Sequence, residues 1–193
     1  MAKDGIFTVW LVGRANPSKF NYRCYGDGPM YSIGMTLKSY FDQVCQHASC
    51  QMATSDYSWE MGNVKPADVV VYCSYSKAYG VIPKKGGVPV HDSASGGTLP
   101  HTNGMISEIY MEAIDGAGSF PTVAANLIFH EIMHNKLDAS GNGGVTDIHK
   151  GNGLASPVVS AGSALTKENI ALMASVLHIP VAQYTQEMQK PLL

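Results

Sequence analysis

The chain has 193 residues, a length that suits one large domain, and we predict a single domain over residues 1–193. Hydrophobic residues make up 45% of the chain and charged residues 15%, a composition typical of a folded globular protein rather than a disordered one. The formal net charge is −2 and like charges do not cluster, so the sequence favours neither a nucleic-acid partner nor an anionic membrane partner.

The first third of the chain alternates predicted strands and helices. Residues 6–12 (IFTVWLV) are rich in β-branched and aromatic residues and predict a buried strand. Residues 14–30 carry Pro, Gly, Asn and Asp and predict a loop. Apolar residues at helical spacing then predict a helix over 35–47, and a second buried strand follows at 69–75 (VVVYCSY).

The middle of the chain leads to the strongest helix. Residues 76–104 are glycine-rich and predict loops around a short strand at 88–90. A half-exposed strand is predicted over 105–113 (MISEIYMEA). Pro121 opens the strong helix, because proline is favoured in a first turn, and the helix should end near Gly141, where a glycine-rich run begins.

A last long helix, LTKENIALMASVL, is predicted to be capped by Thr166 and to end before Pro180. The predicted order is therefore strand, helix, strand, glycine-rich segment with an edge strand, strand, helix, loop and helix. This order indicates an α+β domain in which one helix packs centrally on a small mixed sheet.

The start of the chain predicts where the protein is made. Met1 to Gly5 leads directly into a strand-like run and lacks the apolar region and cleavage site of a signal peptide. No apolar stretch approaches the roughly 18 residues of a membrane span. We therefore expect synthesis in the cytoplasm, and export only by a non-classical route, as an effector or toxin.

The four cysteines do not indicate a metal site of their own. None of them forms a CxxC pair, so a thiolate zinc site is not expected. A disulfide between Cys45 and Cys50 is one option for this sequence. Free thiols in a reducing compartment are the favoured interpretation.

The strongest helix carries the motif His130-Glu131-Ile132-Met133-His134, or HExxH. Two histidines four residues apart lie on one helix face, so their imidazoles can take two adjacent corners of a zinc tetrahedron. Glu131 leans to the side of that face, where it can act as general base on a zinc-bound water of pKa about 7. The rest of the helix is apolar nearly all round, and buried polar groups are costly without a partner such as a metal. The alternative is a pair of hydrogen-bonded core histidines beside a salt-bridged glutamate.

A catalytic zinc usually has three protein ligands and one open position. His149 is the favoured third ligand, because the glycine-rich run 141–144 lets the chain turn back beside the helix. The 15 residues from His134 give ample length for this return.

Three acidic residues remain open as alternative third ligands: Asp147, Asp138 and Glu168. Asp138 would lie about 12 Å along a straight helix from His130, so it is a ligand only if the helix breaks right after the motif. Asp147 lies two residues before His149. Glu168 lies in a first helical turn, where the helix dipole favours an acid in any case.

Through its HEIMH motif at 130–134, the chain resembles the zincin metallopeptidases. The resemblance covers residues 5–178 in the order of elements but only five residues as a specific motif. It implies that His130 and His134 bind Zn²⁺ and that Glu131 is the general base. It also implies a protein or peptide substrate that is bound by strand addition at the cleft edge, for which the segment 86–114 is the candidate.

The subfamilies of zincins differ in the third ligand. The metzincin pattern fails here, because Leu137 and Ser140 stand where that family has glycine and a ligand. A gluzincin-like ligand would be Glu168, and an aspzincin-like stretch at 144–147 (GVTD) keeps Asp147 open.

We therefore expect a zinc-dependent peptidase that hydrolyses peptide bonds through a metal-bound water, with Glu131 as general base. One alternative is a zinc amidase or deformylase-like hydrolase, for which Cys73 is a loosely fitting third ligand. Another is a non-catalytic zinc-containing effector or binding module. Glu131 has no structural task in such a module, which favours an enzyme.

Overall fold

The computed structural model describes residues 8–14, 27–44, 51–55, 68–74, 77, 95–99, 106–114, 119–139 and 148–177. The strands are β1 (Thr8–Arg14), β2 (Gln51–Ser55), β3 (Val69–Ser74), β4 (Gly96–Leu99) and β5 (Ile106–Tyr110). The helices are α1 (Asp27–Val44), α2 (Met111–Ile114), α3 (Phe120–Ala139) and α4 (Lys167–Val176). Two short 3₁₀ turns, Ile148–Lys150 and Gly153–Ala155, lie between α3 and α4.

The five strands form one mixed sheet in the order β2-β1-β3-β5-β4. β1 pairs in parallel with β2 and β3, β3 pairs in parallel with β5, and β4 is antiparallel to β5 at one edge. The predicted combination of helices with a small mixed sheet is confirmed at this level.

Strands β3 and β5, which lead to the site, are buried. All six residues of β3 are buried, in agreement with the strand predicted over 69–75. The strand predicted within 105–113 is present as β5, but two details of the prediction are wrong: residues 107–110 are buried rather than half-exposed, and the chain turns into a helix at Met111. The burial follows from the topology, because β5 lies between β3 and β4 and packs against α3.

Helix α1 begins earlier than its sequence predicts. The predicted loop over 14–30 is wrong for its last residues, since the helix starts at Asp27. Pro29 occupies the first turn, where its missing N–H removes no helical hydrogen bond. Met30 and Ile33 are fully buried and extend the apolar stripe of Leu37 backwards by two turns.

Two strands were not predicted. β2 has the short, partly polar sequence QMATS, and β4 has the sequence GGTL, in which glycines weaken the strand pattern. β4 nevertheless lies inside the segment 86–114, which was expected to supply a cleft edge. The short strand predicted at 88–90 lies outside the described residues.

Helix α3 is the central helix of the fold and agrees with the predicted helix starting at Pro121. It packs against β3, β4 and β5 on the sheet and against α1 and α4. Phe129 on α3 contacts Tyr40 and Phe41 of α1 with ring centroids 5.8 and 5.3 Å apart. These apolar contacts bury most of the helix, so a polar group on it must find its partners inside the protein.

The predicted cap of the last helix is confirmed. The hydroxyl of Thr166 accepts a hydrogen bond from the backbone N–H of Asn169, and the Asn169 side chain bonds back to the backbone of Thr166. Within the described ranges, no helix is both long and apolar enough to cross a membrane. Cys73 forms no disulfide with any described residue.

Candidate metal centre

Three histidine side chains converge at the C-terminal half of α3. The Nε2 atom of His134 lies 3.1 Å from Nε2 of His130 and 3.1 Å from Nε2 of His149. The remaining pair, His149 and His130, is 3.3 Å apart at the same atoms. The three nitrogens therefore form a nearly equilateral triangle.

This triangle has the dimensions of one face of a zinc tetrahedron. Zn–N bonds of about 2.0–2.1 Å place tetrahedral ligand nitrogens about 3.3–3.4 Å apart. The observed separations of 3.1–3.3 Å are within the tolerance of about 0.2 Å expected of a preformed site. The donor set, three imidazoles, is one that Zn²⁺ uses in catalytic sites.

Hydrogen bonding among the three rings does not account for their approach. An imidazole nitrogen carries either one hydrogen or one lone pair, so it cannot donate and accept at once. In a triangle of three such atoms, one hydrogen bond can form and the third atom has no proper partner within the set. A divalent cation accepts all three lone pairs together, and the arrangement therefore fits a metal.

The orientation of His130 is set by a backbone carbonyl. Nδ1 of His130 donates a hydrogen bond to the carbonyl oxygen of Leu154 at 2.7 Å. The proton on Nδ1 leaves Nε2 unprotonated, with its lone pair directed at the other two rings. A carbonyl that holds the far nitrogen of an imidazole is a recurring support of metal ligands.

Burial favours the neutral form of all three imidazoles. Burial lowers the pKa of His130 to about 4 and, with the help of the neighbouring histidines, lowers the pKa of His134 to about 3. Burial also lowers the pKa of His149. Neutral imidazole is the form that binds a metal.

The first two ligands come from α3, where the spacing of four residues puts them one turn apart. Residues 148–150 form a 3₁₀ turn that returns to this helix and brings His149 beside them. His130 and His134 are buried, with exposed fractions of 5% and 8%, and His149 is half-buried. The cluster therefore has one open side, at His149.

The side chain of Glu131, the residue that follows His130, is held by the edge strand. Thr98 of β4 donates its hydroxyl hydrogen bond to Oε2 of Glu131 at 2.7 Å. Burial raises the pKa of Glu131 to about 7, and the bond from Thr98 acts in the opposite direction. The Thr98 hydroxyl also lies 3.0 Å from the Ser107 hydroxyl. Ser107 in turn donates a hydrogen bond to the backbone carbonyl of Glu131 at 3.2 Å.

Gly96 leaves the space that this carboxylate occupies. A Cβ at Gly96 would lie 3.0 Å from Oε1 of Glu131 and 2.9 Å from the carbonyl oxygen of Glu108. Both distances are shorter than ordinary contacts, so a side chain at this position would displace the carboxylate or the strand. The absence of a side chain at Gly96 thus lets β4 approach Glu131.

The remaining candidates from the sequence lie elsewhere. The side chain of Glu168 is exposed on α4 and is not part of the histidine cluster. Asp138 lies within α3, but its side chain is not among those described, and Asp147 lies outside the described residues. Cys73 is buried in β3 and is also not part of the cluster.

No sequence pattern indicates three contributors to this site: Thr98, Gly96 and the Leu154 carbonyl. Thr98 and Gly96 lie in a glycine-rich segment that resembles a loop, and Thr98 meets Glu131 across 33 residues of chain. The carbonyl of Leu154 carries no side-chain signal. Only the pairing of β4 with β5 could have indicated Thr98, by placing it next to the motif helix.

Comparison with known proteins adds no assignment to this geometry. No protein-family model matches the sequence, no curated protein matches it, and no solved structure matches the chain.

Proposed function

We propose that this chain is a zinc-dependent peptidase whose metal is bound by His130, His134 and His149. The observation that carries the proposal is the triangle of Nε2 atoms, 3.1–3.3 Å on each side. Two of its histidines share a helix with Glu131, which follows His130 and is buried. The zincin resemblance of the HExxH motif supports the same assignment.

The donor set favours a catalytic metal over a structural one. Structural zinc sites close all four positions with protein ligands, whereas catalytic sites keep one position open. In the part of the chain that the structure describes, no fourth His, Cys, Asp or Glu joins the three histidines. The half-buried His149 lies where the centre would be reached from outside.

When bound, zinc would supply the Lewis acid that activates water and polarises the scissile carbonyl. Glu131 would accept the proton of the attacking water and later deliver it to the leaving amine. Burial suits this exchange, because it raises the pKa of Glu131 to about 7 and makes the proton easy to take and to return. Thr98 would hold Oε2 of Glu131 and leave Oε1 for the proton.

The edge strand favours an extended peptide as substrate. β4 is the last strand of the sheet, and on its outer side it pairs with no strand among the described residues. An extended chain can add to such an edge through backbone hydrogen bonds. Because Thr98 joins this strand to Glu131, a peptide added there would run beside the general base.

The order of elements before the motif helix also supports the proposal. A strand (β3), an edge strand (β4), another strand (β5) and the motif helix (α3) follow one another in the chain. The deformylase-like alternative is less favoured, because it would take its third ligand from Cys73 rather than from His149.

The proposal is tested by replacing Glu131 with glutamine. Glu131→Gln keeps an oxygen that can accept the bond from Thr98 but cannot take up the proton from water. We expect the wild-type protein to bind one zinc and to cleave members of a peptide library, and Glu131→Gln to bind zinc without cleaving. The matched control is Glu168→Gln, which removes an exposed carboxylate and should leave both properties unchanged.

The outcomes separate the competing functions. Cleavage that persists in Glu131→Gln would overturn the mechanism. Zinc binding with hydrolysis of small amides but no peptides would favour the amidase alternative. Zinc binding without hydrolysis of either class would favour a non-catalytic module.

A further inference from the structure

We infer that Asn169, on the last helix, is a positioning residue for the metal centre: it fixes the turn whose Leu154 carbonyl orients His130. The inference rests on the proposed metal centre and adds a residue that lies outside the motif. Asn169 touches none of the three histidine rings. It acts through the chain segment between Asn152 and Leu154.

The amide of Asn169 holds this turn at two points. Its Oδ1 accepts a hydrogen bond from the backbone N–H of Leu154 at 2.9 Å, and its Nδ2 donates to the carbonyl of Asn152 at 2.9 Å. The side chain is buried, with 1% exposed. An amide bonded at both ends and closed off from water fixes both position and orientation of the backbone it binds.

The helix fixes Asn169 in turn. Oδ1 also accepts from the backbone N–H of Thr166 at 3.2 Å, and the backbone N–H of Asn169 donates to the Thr166 hydroxyl at 3.2 Å. These bonds form the capping box of α4. Asn169 therefore both caps the N-terminus of α4 and binds the backbone of the turn at 152–154.

The turn packs tightly against the start of α4 at Gly153. Gly153 has φ of +62°, in the left-handed region that favours glycine. A Cβ there would lie 2.3 Å from the Ala164 carbonyl and 2.7 Å from Oδ1 of Asn169. The turn is thus in direct contact with the start of α4, and a change at Asn169 is transmitted to it.

The consequence at the metal centre is a defined tautomer. The carbonyl of Leu154 holds the proton on Nδ1 of His130, 2.7 Å away, and so leaves Nε2 free for the metal. If the turn shifts, this carbonyl is lost and the proton can move to Nε2, which removes the lone pair from the triangle. His149 precedes the same turn by only a few residues, so its placement depends on it as well.

The test compares three variants by zinc affinity and by the tautomer of His130. Asn169→Leu removes all of the amide's bonds, and Asn169→Asp keeps the acceptor for Leu154 N–H. Thr166→Val is the matched control, because it removes one capping bond but keeps the methyl group that faces Gly153. Zinc affinity is measured by chelator competition, and the tautomer by long-range ¹H–¹⁵N correlation of the metal-free protein.

We expect Asn169→Leu to bind zinc about 10–100-fold more weakly than the wild type and to lose the pure Nδ1–H tautomer. Thr166→Val should melt at a lower temperature but keep the affinity and the tautomer. Wild-type affinity and tautomer in Asn169→Leu would overturn the inference.

Should Asn169→Leu fail to fold, Asn169→Asp carries the test. It no longer donates to the Asn152 carbonyl, so we expect a mixture of His130 tautomers and a zinc affinity between those of the wild type and Asn169→Leu, within about tenfold of the wild type. Wild-type affinity and tautomer in a folded Asn169→Asp protein would overturn the inference. A wild-type protein that binds no zinc would refute the proposed function instead, and the tautomer in the metal-free variants would still decide the role of Asn169.

Discussion

Replacing Gly96 with alanine would place a methyl group against the general base. The new Cβ would lie 2.9 Å from the Glu108 carbonyl oxygen and 3.0 Å from Oε1 of Glu131, whereas ordinary contacts begin at 3.4 Å. The Glu108 oxygen belongs to the paired backbone of β5, so relief of the 2.9 Å contact requires a shift of β4 or β5. The 3.0 Å contact is relieved when the Glu131 carboxylate moves by about 0.4 Å. Because Gly96 has no positive φ, the effect is steric and not a matter of backbone strain.

The size of this effect follows from overpacking. Added atoms in a tightly packed region typically cost about 1–3 kcal/mol, which for a chain of this length lowers Tm by about 2–12 °C. A misplacement of about 1 Å costs roughly 100-fold in rate, so a shift of about 0.4 Å corresponds to roughly tenfold. We therefore expect Gly96→Ala to lower kcat/KM about tenfold while the zinc affinity stays within a few-fold of the wild type.

The assay is peptide hydrolysis with zinc titration and thermal unfolding of the same samples. Gly162→Ala is the control, because its nearest atom, Oγ of Ser160, would be 3.8 Å away, an ordinary contact. Wild-type hydrolysis by a folded Gly96→Ala protein would refute the placement of Glu131 against β4.

Three further predictions concern the same centre. Thr98→Val removes the hydrogen-bond donor to Oε2 of Glu131. We expect kcat to fall about tenfold, which corresponds to ~1.4 kcal/mol, while the zinc content stays unchanged. Both are measured by steady-state kinetics and metal analysis, and an unchanged kcat would contradict a role of Thr98 in holding Glu131. His149→Ala should abolish tight zinc binding, whereas Glu168→Gln should bind zinc as the wild type does. If equilibrium dialysis finds the same zinc content in His149→Ala and the wild type, His149 is not a ligand. Zinc at about 1,000 times its Kd adds about 4 kcal/mol to the free energy of unfolding. Removing it with a chelator should therefore lower Tm by about 8–16 °C. A calorimetric scan in which the chelator leaves Tm unchanged would contradict a metal bound by the folded state.

The features of the fold and the site that the sequence predicts are those whose interacting residues are only a few positions apart in the chain. The motif histidines were identified because four-residue spacing on a helix decides by itself that two side chains share a face. Thr166 was identified as a cap for the same reason, since its partner Asn169 is three residues away. His149 required one further assumption, a chain reversal at glycine residues.

Other contributors depend on pairings that no short window contains. Thr98 meets Glu131 across 33 residues and Asn169 meets Leu154 across 15. β4 was missed as a strand because its two glycines have low strand propensity, which pairing with β5 overrides. The early start of α1 has a different cause: the pair Gly28-Pro29 is typical of a loop, but proline is also favoured in the first turn of a helix.

X-ray absorption at the zinc edge of the zinc-loaded protein counts the imidazole nitrogens bound to the metal. We expect three imidazole nitrogens at about 2.0–2.1 Å from zinc, and the loss of one of them in His149→Ala. Two imidazole ligands or fewer, or a spectrum that His149→Ala leaves unchanged, would contradict a metal bound by His130, His134 and His149.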